Sequence, residues 1–173
     1  MLKLAALAMA ATTTLATPSD EIPLDANGPW WEKITVTMTG DGDPQSCRYE
    51  SSIKGADSCA VEGSGKAAAK SEKSEEFTKI TFERRFSPGA KLPDVGKLHP
   101  GDTLLGGSIM ALAIDGSGAV KGCQVVATHG GVKPDYGCDQ AKAEKFAAST
   151  NAPEQPKHAY MTILVYGHSE QVV

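Results

Sequence analysis

The stretch of residues 109–146 constrains the fold more than any other part of this chain. Residues 109–114 are all apolar, a run too short for a free-standing helix, and the run stops at the sequence Asp-Gly-Ser-Gly of residues 115–118. Glycine adopts the positive φ of a tight hairpin turn at no steric cost. We therefore expect a β-hairpin whose second strand covers residues 120–128.

A short helix is expected after this hairpin. Pro134 and Asp135 suit a helix start, because the Asp135 carboxylate can accept hydrogen bonds from the unpaired N–H groups of the first turn. The helix is predicted over residues 136–148, where one face at helical spacing carries Tyr136, Ala143, Phe146 and Ala147. Cys123 on the second strand and Cys138 in the first helical turn can then meet across the interface of sheet and helix.

The cysteines are even in number, and they are Cys47, Cys59, Cys123 and Cys138. In an exported chain an even number favours two disulfides over free thiols, and three pairings are open. Proximity in sequence favours Cys47 with Cys59 and Cys123 with Cys138. Neither pair has the C-x-x-C spacing of a redox motif or a zinc knuckle.

The N-terminus has the layout of a secretory signal peptide. Residues 1–16 contain one lysine, a short apolar run and small residues at Thr14 and Ala16. Cleavage near Ala16 leaves residues 17–29 as an extended lead-in. No other apolar stretch reaches the ~20 residues that span a bilayer, so no integral membrane segment is expected in the mature chain. We predict a periplasmic or secreted protein.

Charge and composition narrow the choice of partner. The formal net charge of −4 argues against nucleic acid and anionic membrane surfaces, which both require a basic footprint. No cofactor or metal is expected: Asp41 and Asp43 fit a turn better than a calcium loop. His158 and His168 lie too far apart along an extended strand to share one metal ion. The expected partner is another protein, which the sequence does not identify.

The first half of the chain repeats the order of elements in the second half. Each half has an apolar strand, an Asp-Gly turn, a strand with a cysteine, a loop with a second cysteine, an Ala/Lys/Glu-rich segment and a final strand. We interpret residues 30–90 as a degenerate β-β-α-β unit, residues 91–107 as a connector and residues 108–173 as a second unit. Chance is the alternative, since hairpins with Asp-Gly turns are common. The predicted fold class is α+β, a small antiparallel sheet packed with one or two helices.

The second half also carries a family pattern. It consists of the hairpin of residues 112–126, the segment 135–138, Lys145 with Phe146, and the strand of residues 162–165. This pattern resembles the C-terminal domain of TonB-type energy transducers, the periplasmic module that docks on outer-membrane transporters. The anchor and the Pro-rich linker of those transducers are missing, so the resemblance implies a fold and a compartment rather than energy transduction.

The candidate binding residues are Trp30, Trp31, Arg84, Arg85, His129, Tyr160 and Tyr166. Adjacent tryptophans on a strand face opposite sides, so one ring is expected in the core and the other can stack on a ligand. The arginine pair suits a small anion or carboxylate, although such pairs also complete surface ion pairs. The strand of residues 160–166 is predicted to offer an exposed edge to a partner strand.

These features predict a non-catalytic, exported protein-binding module. One alternative is a small hydrolase in which Asp135 orients His129 as a general base, which requires a pocket around His129 with a nucleophile or metal in reach. The other is a disulfide-stabilised inhibitor with a protruding loop at residues 54–57.

Overall fold

The computed structural model describes residues 22–53, 59, 77–149 and 155–169. This part of the chain forms six strands and one helix. In chain order they are β1 (Trp30–Met38), β2 (Pro44–Ser51), β3 (Lys79–Pro88), β4 (Asp102–Ile114), β5 (Val120–Gly130), α1 (Cys138–Ala143) and β6 (Lys157–His168). All six strands belong to a single sheet in the order β2-β1-β3-β6-β4-β5, and every neighbouring pair is antiparallel.

The predicted α+β class is wrong, because the described residues form a nearly all-β structure with one six-residue helix. The Ala/Lys/Glu-rich segment of residues 66–76, which suggested a helix in the first half, lies outside the described residues. The second predicted helix, residues 136–148, is reduced to α1.

Tertiary contacts end α1 earlier than its sequence pattern indicates. At Glu144 the backbone becomes extended, with φ −65° and ψ 147°. The Glu144 carboxylate accepts a hydrogen bond of 2.8 Å from the Tyr136 hydroxyl. Two residues later Phe146 is buried and bridges to Leu24, so the chain is held straight where a helix would have continued. Packing overrides helix propensity here, as it commonly does.

The core lies on the side of the sheet against which α1 packs, called the helix face here. Trp30, Phe86 and Phe146 form a row of rings at its centre, with centroid distances of 5.4 Å and 5.1 Å. Around them pack fully buried aliphatic residues from the central strands β4 and β6, among them Met110, Leu112, Met161 and Ile163. Burying these side chains supplies the main stabilisation of the sheet.

The opposite side, called the connector face, is crossed by the chain between β3 and β4. The Arg85 guanidinium donates 2.9 Å to the carbonyl of Val95, and the Tyr160 hydroxyl donates 3.3 Å to the carbonyl of Ala90. Leu164 of β6 is fully buried on this face. Both faces of the central strands are therefore covered.

The strand β6 lies at the centre of the sheet, between β3 and β4. The prediction that residues 160–166 present an exposed edge is therefore wrong. Their alternating β-branched and aromatic residues correctly indicated a strand, but alternation does not reveal the neighbours on either side. The outermost strands are β2 and β5.

The strand β4 begins at Asp102, inside the predicted connector. The connector was predicted to extend to residue 107, but Gly106 lies within the strand. A Cβ atom at Gly106 would lie 1.7 Å from the carbonyl oxygen of Val132, so glycine is required by the close approach of a neighbouring backbone.

The two halves of the chain have the same connectivity within this one sheet. The hairpin β1-β2 is extended by β3 pairing with β1, and the hairpin β4-β5 is extended by β6 pairing with β4. Cys47 lies opposite Val36 in the first hairpin, as Cys123 lies opposite Leu112 in the second. The halves meet where β3 pairs with β6.

The two hairpin turns also share their backbone geometry. Gly42 has φ 83° and donates 2.9 Å to the carbonyl of Thr39. Gly118 has φ 87° and donates 3.0 Å to the carbonyl of Asp115. In both turns glycine occupies a left-handed conformation that other residues adopt only with strain.

Candidate functional site

The edge strand β5 is the most exposed apolar part of the sheet. Among the described residues it pairs only with β4, so its outer side carries unpaired backbone N–H and C=O groups. Val125 and Val126 are 46% and 44% exposed, although each belongs to a strand. An edge of this kind is a template on which a further strand can pair.

A β-bulge explains why two adjacent valines are both exposed. Ile109 pairs with Ala127 and Met110 pairs with Val125, so Val126 is an extra residue that has no opposite partner. A bulge increases the local twist and redirects a side chain. The result is a small apolar surface on β5 where regular alternation would have turned one valine inward.

The other edge strand, β2, is protected in the manner of natural edge strands. It begins at Pro44, and its exposed Arg48 forms an ion pair of 3.0 Å with Glu50. Proline and charged side chains discourage the addition of another strand. By contrast, Lys121 is the one Asp, Glu, Lys or Arg residue of β5. Of the two edges, β5 is therefore the better suited to pairing.

A cavity of 190 Å³ adjoins the C-terminal part of β5. It opens between β5, the buried Ser108 of β4, and the loop that leads to α1. Its lining includes Val125, Thr128, Val132, Pro134, Tyr136 and several glycines. His129 also lines it, and the Nε2 atom of His129 is buried without a hydrogen-bond partner in the described residues.

A disulfide fixes one wall of this cavity. Cys123 of β5 is bonded to Cys138 at the start of α1, with Cα atoms 5.5 Å apart. Cys47 is bonded to Cys59 in the first half, so both pairings favoured by sequence proximity are confirmed. A six-residue helix is too short to be stable alone, and the disulfide holds α1 and the adjacent Tyr136 beside β5.

Arg84 lies at the centre of a polar cluster on the helix face. Its guanidinium stacks between the rings of Trp30, at 5.1 Å, and Tyr136, at 5.2 Å. It donates to the carboxylates of Glu32 and Glu144. Burial opposes the charged form, but the two carboxylates outweigh it and raise the pKa of Arg84 above its usual range.

Tyr136 links this cluster to the cavity. Burial, followed by the hydrogen bond to Glu144, raises the pKa of the Tyr136 phenol above its ordinary value. The phenol is therefore held in its neutral, hydrogen-bonding form. Tyr136 thus lines the cavity, and its hydroxyl is anchored to Glu144 and Arg84.

Arg85 points to the connector face, where it pairs with Glu83. The Arg85 Nε atom lies 2.6 Å from the buried Glu83 carboxylate, which Lys33 also approaches at 3.9 Å. The Tyr166 hydroxyl donates 3.3 Å to the same carboxylate. Burial, with the negative charge of Glu83, raises the pKa of Tyr166 to about 12. The guanidiniums of Arg84 and Arg85 are thus on opposite faces, and each already has a carboxylate partner.

The remaining candidate residues lie apart from one another. Trp30 is buried against Phe86, whereas Trp31 is 37% exposed with the Lys33 ammonium 5.2 Å above its ring. This division of the two tryptophans is the one that strand alternation predicted. Tyr160 lies partly exposed on the connector face. Of the candidates, His129 is the one that lines the cavity beside β5.

Sequence reasoning missed the side chains that distinguish this edge, namely Val125, Val126, Ser108 and Tyr136. One signal was present: residues 122–128 contain no charge, and the two consecutive valines interrupt the alternation of a half-buried strand. The cavity itself depends on a loop folding back across the sheet, which no local pattern encodes.

The structure does not join His129 to Asp135. No hydrogen bond or ion pair links the two side chains in the part of the chain that the structure describes. The inhibitor loop proposed at residues 54–57 lies outside that part. Within the same residues no group of three or more His, Cys, Asp or Glu side chains is placed to hold a metal ion.

The fold and the site define an antiparallel β-sheet protein in which no other described strand pairs with the outer side of the apolar edge strand β5. Comparison with protein-family models, curated proteins and solved structures found no match. Among the residues described, none of the helical structure is long and apolar enough to cross a membrane.

Proposed function

We propose that this protein is an exported, non-catalytic module that binds an extended segment of a partner protein by adding it as a strand to β5. The observation that carries the proposal is the contrast between the two edges: β2 has proline and a charged pair, whereas β5 exposes Val125 and Val126. Natural proteins protect edges that must not pair, so an unprotected apolar edge has a use.

Export is part of the same proposal. The signal-like residues 1–16 support it, and so do two disulfides, which form and persist in oxidising compartments. The relationship to the TonB C-terminal domain is also a proposal, supported by the strand, Asp-Gly turn and cysteine-bearing strand of the second half. A periplasmic module that docks by strand pairing is consistent with export and with a relationship to the TonB C-terminal domain.

We further propose that the halves arose by duplication of one unit. The support is geometric: the hairpin turns share their backbone hydrogen bonds, and the cysteines of β2 and β5 occupy the same register. The two outer strands, β2 and β5, are then equivalent in topology but differ in surface chemistry. We therefore expect only β5 to bind a partner strand.

The test uses a synthetic strand as probe, the acetylated nonapeptide ETVTATVTE. We expect it to slow amide hydrogen exchange in β5 of the full chain and to leave β2 unchanged. A twin peptide with two neighbouring N-methylated residues has both of its edges blocked and should not bind. Protection of β2 rather than β5, or equal binding of the N-methylated twin, would contradict strand addition at β5.

A pair of matched variants locates the binding edge. Val126 lies three residues beyond Cys123 on β5, and Glu50 lies three residues beyond Cys47 on β2. We expect Val126→Pro to abolish peptide binding and Glu50→Pro to leave it unchanged. Thermal unfolding of both variants shows whether each keeps its fold, since proline is tolerated in edge strands.

A further inference from the structure

We infer that the cavity beside β5 is a subsite for one aromatic side chain of the added strand, a tyrosine flanked by acidic residues. This inference rests on the proposed function, because the strand at β5 delivers the side chain. It goes further by stating which partner sequence the edge selects. Recognition of this kind takes affinity from backbone pairing and specificity from side-chain pockets.

The size of the cavity indicates a single side chain. Sites for small molecules are typically about 300–1,000 Å³ in volume. The 190 Å³ here is smaller. Because Val125 and Thr128 of β5 form part of the wall, a strand paired along β5 runs past the opening. Side chains of that strand on the helix face can therefore lean into it.

The wall suits a flat ring with a polar end. Val132, Pro134 and the ring of Tyr136 are apolar, while the glycines in the lining leave backbone surface open for a ring to lie against. One polar atom of a lining residue is buried without a hydrogen-bond partner in the described residues, the Nε2 atom of His129.

This unpaired nitrogen favours tyrosine over phenylalanine. A buried polar atom without a partner costs about 1–3 kcal/mol. A phenol hydroxyl both donates and accepts, so it can satisfy an unpaired ring nitrogen or a serine hydroxyl. A phenylalanine ring would fill the same space and leave the His129 nitrogen unsatisfied.

The charges along the edge specify what flanks the tyrosine. The chain has a net charge of −4, yet it carries no carboxylate between Asp115 and Asp135. Lys121 stands at one end of this segment and Lys133 at the other. Lys121 is 3.5 Å from Asp115, but the Lys121 side chain is largely exposed, and such a surface pair is weak. The edge is therefore locally basic and complements an acidic strand.

Four acetylated nonapeptides test the inference by titration calorimetry against the full chain. The first, ETVTYTVTE, carries the central tyrosine between acidic ends. The others place phenylalanine or alanine at the centre, or lysine at both ends. We expect the tyrosine peptide to bind at least about tenfold more tightly than the alanine peptide, with phenylalanine between them. The lysine-ended peptide should bind more weakly, and the difference should shrink as salt is raised.

A cavity-filling variant identifies the site. Gly131 lines the cavity, and a Cβ atom there meets nothing within 4 Å. We expect Gly131→Phe to bring the tyrosine and alanine peptides to equal affinity. Gly40→Phe is the matched control, since a Cβ atom at Gly40 also meets nothing within 4 Å and Gly40 lies in the turn far along the sheet. That variant should keep the tenfold preference.

The outcomes separate this inference from the proposed function. Equal affinity of the tyrosine and alanine peptides in the parent chain, with binding still lost on N-methylation, overturns the subsite and leaves strand addition standing. A tyrosine preference that survives N-methylation and Val126→Pro overturns strand addition. No binding of any peptide up to about 1 mM overturns both.

Discussion

Arg84 of β3 lies directly opposite Ile163 of β6, at the middle of the seam where the two halves of the sheet join. A charged residue thus occupies the helix face at the centre of the protein, next to a fully buried aliphatic residue. The guanidinium is accommodated because Glu32 and Glu144 neutralise it and because the rings of Trp30 and Tyr136 cover its two faces.

Replacing Arg84 is expected to destabilise the fold more than any surface charge change. Arg84→Met leaves the carboxylates of Glu32 and Glu144 mostly shielded from water without a cation, and we expect a loss of about 3 kcal/mol in the free energy of unfolding. Arg48→Met removes the exposed pair with Glu50 and should change it by less than about 0.5 kcal/mol. Urea unfolding of both variants measures the difference, and equal values would contradict a stabilising role for the Arg84 cluster.

Alkaline pH is expected to weaken the fold through Tyr166. Its pKa is about 12 in the folded protein against an ordinary 10.0, so the folded state binds the phenol proton more tightly than the unfolded state does. The stabilisation is complete below pH 10 and disappears as the pH rises through about 12. Tyr166→Phe should lose less stability over this interval than the parent chain, as measured by thermal unfolding at each pH. An identical decline in both proteins would show that Tyr166 does not contribute.

Removal of the second disulfide should loosen the binding edge. Cys123→Ser with Cys138→Ser opens a loop with a sequence separation of 15, and we expect about 3 kcal/mol of lost stability. Amides of α1 should then exchange faster and the tyrosine preference of peptide binding should fall. The first pair, Cys47 and Cys59, provides the control: its removal also costs stability but should leave the tyrosine preference intact.

The hairpin turns are expected to be interchangeable. Replacing residues 39–43 by the sequence DGSGA of residues 115–119 keeps both glycines in place, and it brings an aspartate whose carboxylate accepts hydrogen bonds from Ser117 and Ala119 in its own turn. We expect an unfolding temperature at least equal to that of the parent chain. Gly42→Ala is the contrasting change, because its φ of 83° is strained for alanine, and it should cost about 1 kcal/mol. Failure of the exchanged turn to fold would contradict the equivalence of the hairpins.

Local sequence signals predicted the local structure well. The hairpin of residues 109–128, both disulfide pairings and the strand at residues 160–166 followed from glycine position, cysteine spacing and alternation. Each of these signals is contained within about 20 residues of sequence, over which backbone preference and proximity dominate.

The errors came from contacts between distant residues. Residues 144–146 were assigned to a helix, but the ion pair of Glu144 with Arg84 and the bridge of Phe146 to Leu24 set an extended backbone. The predicted connector included Gly106. The constraint that places this glycine in a strand is the close approach of Val132, which is remote in sequence and therefore not visible in the local pattern. The sequence could not predict the position of β6 or the cavity at β5 for the same reason, because both depend on contacts between distant residues.

The central place of β6 has a consequence for how the sheet is assembled. β6 is the last of the six strands along the chain, yet it fills the gap between β3 and β4. Before it arrives, each half is a separate set of strands with an additional open edge, and neither Arg84 nor Ile163 has its opposite residue. Docking of β6 closes both open edges at once, so we expect the sheet to acquire its cooperative stability in this step. A chain interrupted before β6 would expose two inner edges, those of β3 and β4, in addition to the β5 edge that the finished protein presents.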